Sequence, residues 1–190
     1  RRLATDSILA ALYVILTAFV SIKAGNLHIS IASLPIVVCA LLYGPGDAVV
    51  IAVLGEFMNQ MLSYGFTVTT PLWLIPPALR GLVIGIAARA AYKRGRVLEA
   101  SVWQYYAVCV AAALTTTLSN TLVIWLDSVL LGYYSYAYVF GDFAVRVVTS
   151  LITVAVVATV AIPVAMALRK AGFGAKRPAP ARRCNKPAQP

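Results

Sequence analysis

The chain has 190 residues, of which 61% are hydrophobic and only 12% charged, with a mean hydropathy of +0.85. A soluble domain of this size needs a charged surface that such a composition does not supply, so the chain reads as an integral membrane protein. Its net charge of +10 is concentrated at the chain ends and in one interior loop, which fits a cytoplasmic excess of Lys and Arg and excludes a nucleic-acid-binding face.

The first apolar run, Ser7 to about Ala24, is long enough to cross a hydrocarbon core as a helix. Ala4, Ser7, Ala11, Val14 and Ala18 recur along it at alternating steps of three and four, a stripe of small residues. Such stripes let helix backbones approach closely in lipid, either within the bundle or against another membrane protein. A short polar stretch, Gly25 to Ser30 with Asn26 and His28, leads into a second run, Ala32–Tyr43. That run is brief and contains Pro35, so a short or irregular helix is expected there. Gly44-Pro45-Gly46-Asp47 is a turn by composition.

The third span runs from about Asp47 to Tyr64, and the loop Gly65–Thr70 follows. Pro71 opens the fourth span, where a missing N–H costs nothing, while Pro76 and Pro77 one turn further in should break or kink it. That span ends in Arg89, Lys93, Arg94 and Arg96. A fifth span, about Val102 to Leu131, carries Thr115, Thr116, Thr117, Ser119 and Asn120. The Tyr-rich segment Gly132–Tyr138 has the composition of an interfacial belt. The sixth span, roughly Tyr138 to Leu168, contains Asp142 and Arg146 near its start and Pro163 near its end. Residues 169–190 are rich in Lys, Arg, Pro and Ala and read as a disordered basic cytoplasmic tail, leaving 1–168 as the membrane domain. The fold class expected is therefore an all-α membrane protein of six transmembrane helices. Counting Lys and Arg at each junction puts both termini in the cytoplasm and leaves only Lys23 on the outer side.

With this topology, Glu56, Arg80, Asn120 and Arg146 fall about 12 to 18 Å below the outer boundary, at about 1.5 Å per residue. Asn59, Gln60 and Asp142 lie somewhat shallower. Polar groups at membrane depth are costly and usually face a cavity or protein interior, so this layer is the candidate site. Glu56, Asn59 and Gln60 share one helical face by their i, i+3, i+4 spacing. Arg80 offers a planar fork for a carboxylate or carbonyl pair, with Trp73 about two turns above it and His28 and Asn26 placed to cover the site. The structural alternative is that Glu56 pairs with Arg80 and Asp142 with Arg146. The single His, the three scattered cysteines and the lack of a His-Glu-X-X-His or Gly-Lys-Ser/Thr motif exclude the common hydrolytic and nucleotide-driven chemistries. No metal or cofactor is expected.

Ile8–Leu16 (ILAALYVIL), Leu27–Leu42 (LHISIASLPIVVCALL), the Tyr43-Gly44-Pro45-Gly46 turn and the Pro71–Gly85 stretch with Ala-Leu-Arg-Gly resemble the substrate-binding S components of energy-coupling factor (ECF) vitamin transporters. The resemblance covers about residues 5–168. It implies a prokaryotic, multi-pass plasma-membrane protein that is not an enzyme. Such a protein captures a water-soluble vitamin outside and topples in the bilayer while bound to a transmembrane coupling subunit and two cytoplasmic ATPases. Ser7-X-X-X-Ala11 stands where the family's Ala-X-X-X-Ala pattern contacts the coupling subunit, making Ala4, Ser7 and Ala11 the implied docking residues. Gly25–Ser30 and Gly65–Thr70 match the lid loops. The Ala-Leu-Arg-Gly element looks most like the folate branch, with pantothenate, cobalamin or another micronutrient as the alternatives. A carboxylate at Glu56 would suit an aminopyrimidine edge, Trp73 its ring, and Arg80 or Arg146 a ligand carboxylate. A stand-alone secondary transporter or a membrane scaffold is the reading from another class.

Overall fold

A computed structural model describes residues 2–19, 21–24 and 27–174. Helix α1 (Arg2–Phe19) leads into a hairpin of β1 (Ser21–Ala24) and β2 (Leu27–Ser30), and a 3-10 turn at Ile31–Ser33 opens α2 (Leu34–Leu42). Then follow α3 (Pro45–Ser63), α4 (Thr70–Trp73), α5 (Ile75–Lys93), a second 3-10 turn at Leu98–Ala100, α6 (Val102–Leu130), α7 (Tyr136–Phe140) and α8 (Phe143–Lys170). Three helical segments are long and apolar enough to cross a membrane, Thr70–Lys93, Val102–Leu130 and Tyr136–Lys170, while Ala4–Phe19 and Ile31–Leu42 are shorter apolar helices.

The architecture is all-α apart from one feature that periodicity did not anticipate. Helix α1 stops at Phe19 rather than Ala24, because the next residues pair antiparallel with Leu27–Ser30, Ser21 opposite Ser30 and Lys23 opposite His28. Two residues, Gly-Asn, separate short runs that each carry a β-branched Ile, which is a hairpin signal competing with helix extension.

Helix α2 is the centre of the bundle. It packs against α1, α3, α5 and α8, and every residue from Pro35 to Leu42 is buried. A helix that is apolar all round belongs inside, and this one has no polar side chain to leave in a solvated or lipid-facing position. Around it, Ile8, Ile15, Leu54, Leu62, Leu118 and Val148 project outward, the surface a hydrocarbon solvent requires.

Helices α3 and α5 approach each other at backbone distance. A Cβ at Gly85 would lie 2.4 Å from the Pro45 Cα, so only glycine permits that crossing. The prolines expected to break or kink the fourth span stand beside a break rather than a kink. The chain breaks at Leu74, between α4 and α5, so that Pro76 and Pro77 fall in the first turn of α5, where a missing N–H leaves nothing unsatisfied.

At the end of the molecule that carries Arg89 and Lys93, Arg169 closes the bundle. Its Nη2 donates to the Leu41 carbonyl at 2.7 Å and lies 3.2 Å from a Glu99 carboxylate oxygen, with the two side chains only 15% and 6% exposed. The last helix therefore runs through Lys170, past the boundary expected at Leu168, and Arg169 belongs to the folded body rather than to a tail. The basic residues from 175 onward lie outside the described residues. At the opposite end, the Tyr133 hydroxyl donates to Asp127 and ties the α6–α7 connection back onto α6. That bond pushes the Tyr133 phenol up to about 12.

Candidate ligand-binding site

Helix α3 supplies the polar face that its spacing foretold. The carboxylate of Glu56 is held by three donors: the Tyr13 hydroxyl at 2.5 Å on Oε2, and Gln60 Nε2 at 3.0 Å and Asn59 Nδ2 at 3.3 Å on Oε1. Both amides lie within one turn of the carboxylate, so their bonds follow from helix geometry alone. The third donor comes from another helix. Tyr13 reaches across from α1, almost completely buried, and its ring fits only because residue 55 is glycine: a Cβ there would lie 2.5 Å from Tyr13 Cδ1. The Thr17 hydroxyl donates to the Tyr13 carbonyl at 2.8 Å.

The polarity of this cluster is decided by the carboxylate. An ionised carboxylate only accepts hydrogen bonds, so Asn59 and Gln60 must both turn their NH2 groups toward it. Their carbonyl oxygens then point away. Ser63 Oγ lies 3.5 Å from Asn59 Oδ1, while no donor among the described residues reaches Gln60 Oε1. The α3 face thus presents acceptors.

Arg80, half-buried on α5, does not pair with Glu56. Its Nε donates to Thr116 Oγ1 at 3.3 Å, and Thr116 in turn donates to the Ala112 carbonyl at 2.7 Å. The guanidinium lies within electrostatic reach of the Tyr13 phenol and of Cys109. Nη1 and Nη2 have no acceptor among the described residues. Arg80 thus lies within electrostatic reach of the phenol that holds Glu56, and its helix packs directly on the one that carries the two amides.

The other expected site residues divide. Asn120 follows Thr116 by one helical turn on α6, half-buried and with no hydrogen bond among the described residues. Its neighbours Thr115, Thr117 and Thr121 each bond the carbonyl four residues back, the local role that hydroxyls in helices commonly take. Trp73 ends α4, half-buried, just before the break at Leu74. Arg146 turns instead to the α7 backbone, with Nη1 3.4 Å from the Val139 carbonyl. His28 is described only as a β2 residue opposite Lys23, and Asn26 lies outside the described residues. Sequence reading missed Tyr13 and Thr116. Tyr13 sits within an apolar run where its ring reads as core, and only the small residue at Gly55 could have signalled a close partner.

The stripe on α1 faces away from the bundle except at Val14, which is half-buried against the cluster that holds Tyr13. Ala4, Ser7, Ala11 and Ala18 are exposed, whereas Leu9 and Tyr13 are buried against the bundle.

A solved structure of the S component of a bacterial ECF transporter superposes with a TM-score of 0.64 over 89% of this chain and 95% of that one, at 19% sequence identity, a likeness of fold. No curated protein gives a significant match. The family model described as the S component of the ECF-type riboflavin transporter matches residues 1–170, nine-tenths of the chain. The chain belongs to the family of ECF-type riboflavin transporter S components.

Proposed function

We propose that this chain is the capture subunit of an ECF-type importer and that its vitamin is riboflavin or a flavin with the same ring edge. The observation that carries the reading is the polarity of the layer around Glu56. A flavin ring ends in an imide, an N–H flanked by two carbonyls. Such an edge needs an acceptor for its N–H and donors for its carbonyls, chemistry that the carbonyl of Gln60 and the guanidinium N–H groups of Arg80, which have no acceptor among the described residues, can supply. Trp73 offers an aromatic face for the ring system, and Asn120 a partner for the hydroxylated side chain.

The folate-like expectation loses its basis. It rested on the Ala-Leu-Arg-Gly element and on Glu56 as an acceptor for an aminopyrimidine; the family match is to riboflavin S components, and three of the carboxylate's four acceptor positions are taken by Tyr13, Asn59 and Gln60. The chain carries out no chemistry of its own in this reading. Transport energy comes from two partner ATPases through a membrane coupling subunit, with Ala4, Ser7 and Ala11 as the docking face.

The test is titration of the purified full chain with riboflavin, followed by quenching of flavin fluorescence. A saturable one-to-one complex is expected, weakened at least tenfold by Arg80→Ala in a protein that remains folded, equivalent to about 1.4 kcal/mol. Failure of the unaltered chain to bind riboflavin while binding another vitamin would overturn the ligand assignment. For docking, Ala11→Trp should abolish uptake by the assembled transporter and leave flavin affinity intact.

A further inference from the structure

Tyr13 is not explained by packing alone. A phenylalanine would fill the same volume against Gly55, yet the residue carries a hydroxyl that lies 2.5 Å from Glu56 Oε2, in a chain where most other side chains of α1 are aliphatic. Oε1 is occupied independently by the two amides of α3. The tyrosine therefore controls one atom, the oxygen that would otherwise be the strongest open acceptor in the layer.

We propose that Tyr13 is a specificity-determining residue that masks the Glu56 carboxylate, so that the site reads a neutral imide and rejects ligands presenting amino groups. The proposal rests on the flavin reading of the site and adds to it the reason for discrimination. An unmasked carboxylate in a water-poor layer attracts a donor pair, such as the amino group and ring N–H of a 2-amino-4-oxopteridine, through charge-assisted bonds. With the phenol in place, both oxygens of Glu56 are already engaged by donors of the protein, and a pteridine of that kind meets a weaker acceptor there. Its ring N–H then takes the Gln60 carbonyl as the flavin imide does, and its amino group meets the Arg80 guanidinium, itself a donor. Discrimination thus comes from leaving the wrong ligand with unpaired polar groups, the strongest form of selectivity a polar site has. Tyr13 acts here through Glu56 and needs no contact with the ligand.

Three chains separate this role from simple support of the fold. Affinities for riboflavin and for a 2-amino-4-oxopteridine are measured on the unaltered protein, on Tyr13→Phe and on Tyr13→Phe/Glu56→Gln. Expected is a preference for riboflavin in the unaltered chain, which Tyr13→Phe reduces at least tenfold, chiefly by gaining affinity for the aminopteridine. The double variant has no carboxylate to expose and should lose that gain. If Tyr13→Phe weakens both ligands by the same factor, or the double variant keeps the aminopteridine gain, the masking role is refuted. If the unaltered chain binds no flavin, it is the flavin reading that fails. The masking role is then decided by whether Tyr13→Phe alone acquires aminopteridine binding that the double variant lacks.

Discussion

Glu56 accepts from three groups of its own protein, so removing it strands all three. Each unsatisfied polar group in a dry interior costs about 1–3 kcal/mol, and Glu56→Ala should therefore destabilise the fold by at least about 2 kcal/mol as well as impair binding. Chemical denaturation in detergent measures the first effect separately from the second. Arg80→Ala removes a group with a single weak bond to Thr116, and its cost should fall mainly on ligand affinity. At the far end of α6, the Tyr133 phenol is raised to about 12 by its bond to Asp127. A folded pKa above the ordinary tyrosine value of about 10 stabilises the folded state fully below pH 10, and the contribution fades as pH rises toward 12. The tyrosinate absorbance of the unaltered protein minus that of Tyr133→Phe should show a step near pH 12, and a step near pH 10 would contradict the bond.

Among the elements, the contact between α3 and α5 allows no side chain at Gly85, whose Cβ would enter the Pro45 backbone. Gly85→Val should cost about 1–3 kcal/mol or more, since neither backbone can yield without disturbing α2 behind them. The end of α8 is fastened by Arg169. A chain truncated after Gly174 should melt like the full chain, whereas one truncated after Leu168 loses the hydrogen bond to Leu41 and the ion pair with Glu99 and should be less stable by roughly 3–5 kcal/mol. Thermal unfolding of the two truncations compares them directly. What could be read from the sequence at this scale followed from local rules. The i, i+3, i+4 spacing brought Glu56, Asn59 and Gln60 together, the glycine-proline turn separated α2 from α3, and hydropathy located the long helices. What could not be read depended on contacts across the bundle. The hairpin needs strand partners, the Arg169 anchor needs a carbonyl 128 residues away, and Tyr13 looks like any core aromatic until Gly55 is seen beside it. The prolines at 76 and 77 read as breakers in the sequence and the chain does break beside them, at Leu74, but a helix start and a helix kink present the same proline to a reader of sequence.

For the molecule as a whole, the cluster Arg89, Lys93, Arg94 and Arg96 fixes the expected orientation, with that end in the cytoplasm. Single cysteines placed at Lys93 and at Tyr134 in a chain whose own cysteines are replaced should react with an impermeant maleimide from opposite sides of the membrane, Tyr134→Cys from outside in intact cells. Helix α2 has a consequence for how this arrangement is reached. Its nine residues measure about 14 Å, half of a hydrocarbon core, and it is enclosed by α1, α3, α5 and α8. A segment so short is a poor candidate for insertion on its own merits, and one of its walls, α8, is synthesised after α1, α3 and α5. The shell around α2 therefore closes only after α8 has left the ribosome. Until then α2 sits in an unfinished shell, so membrane-arrested chains ending before Phe143 should expose Cys39 to a lipophilic thiol reagent that the finished protein excludes.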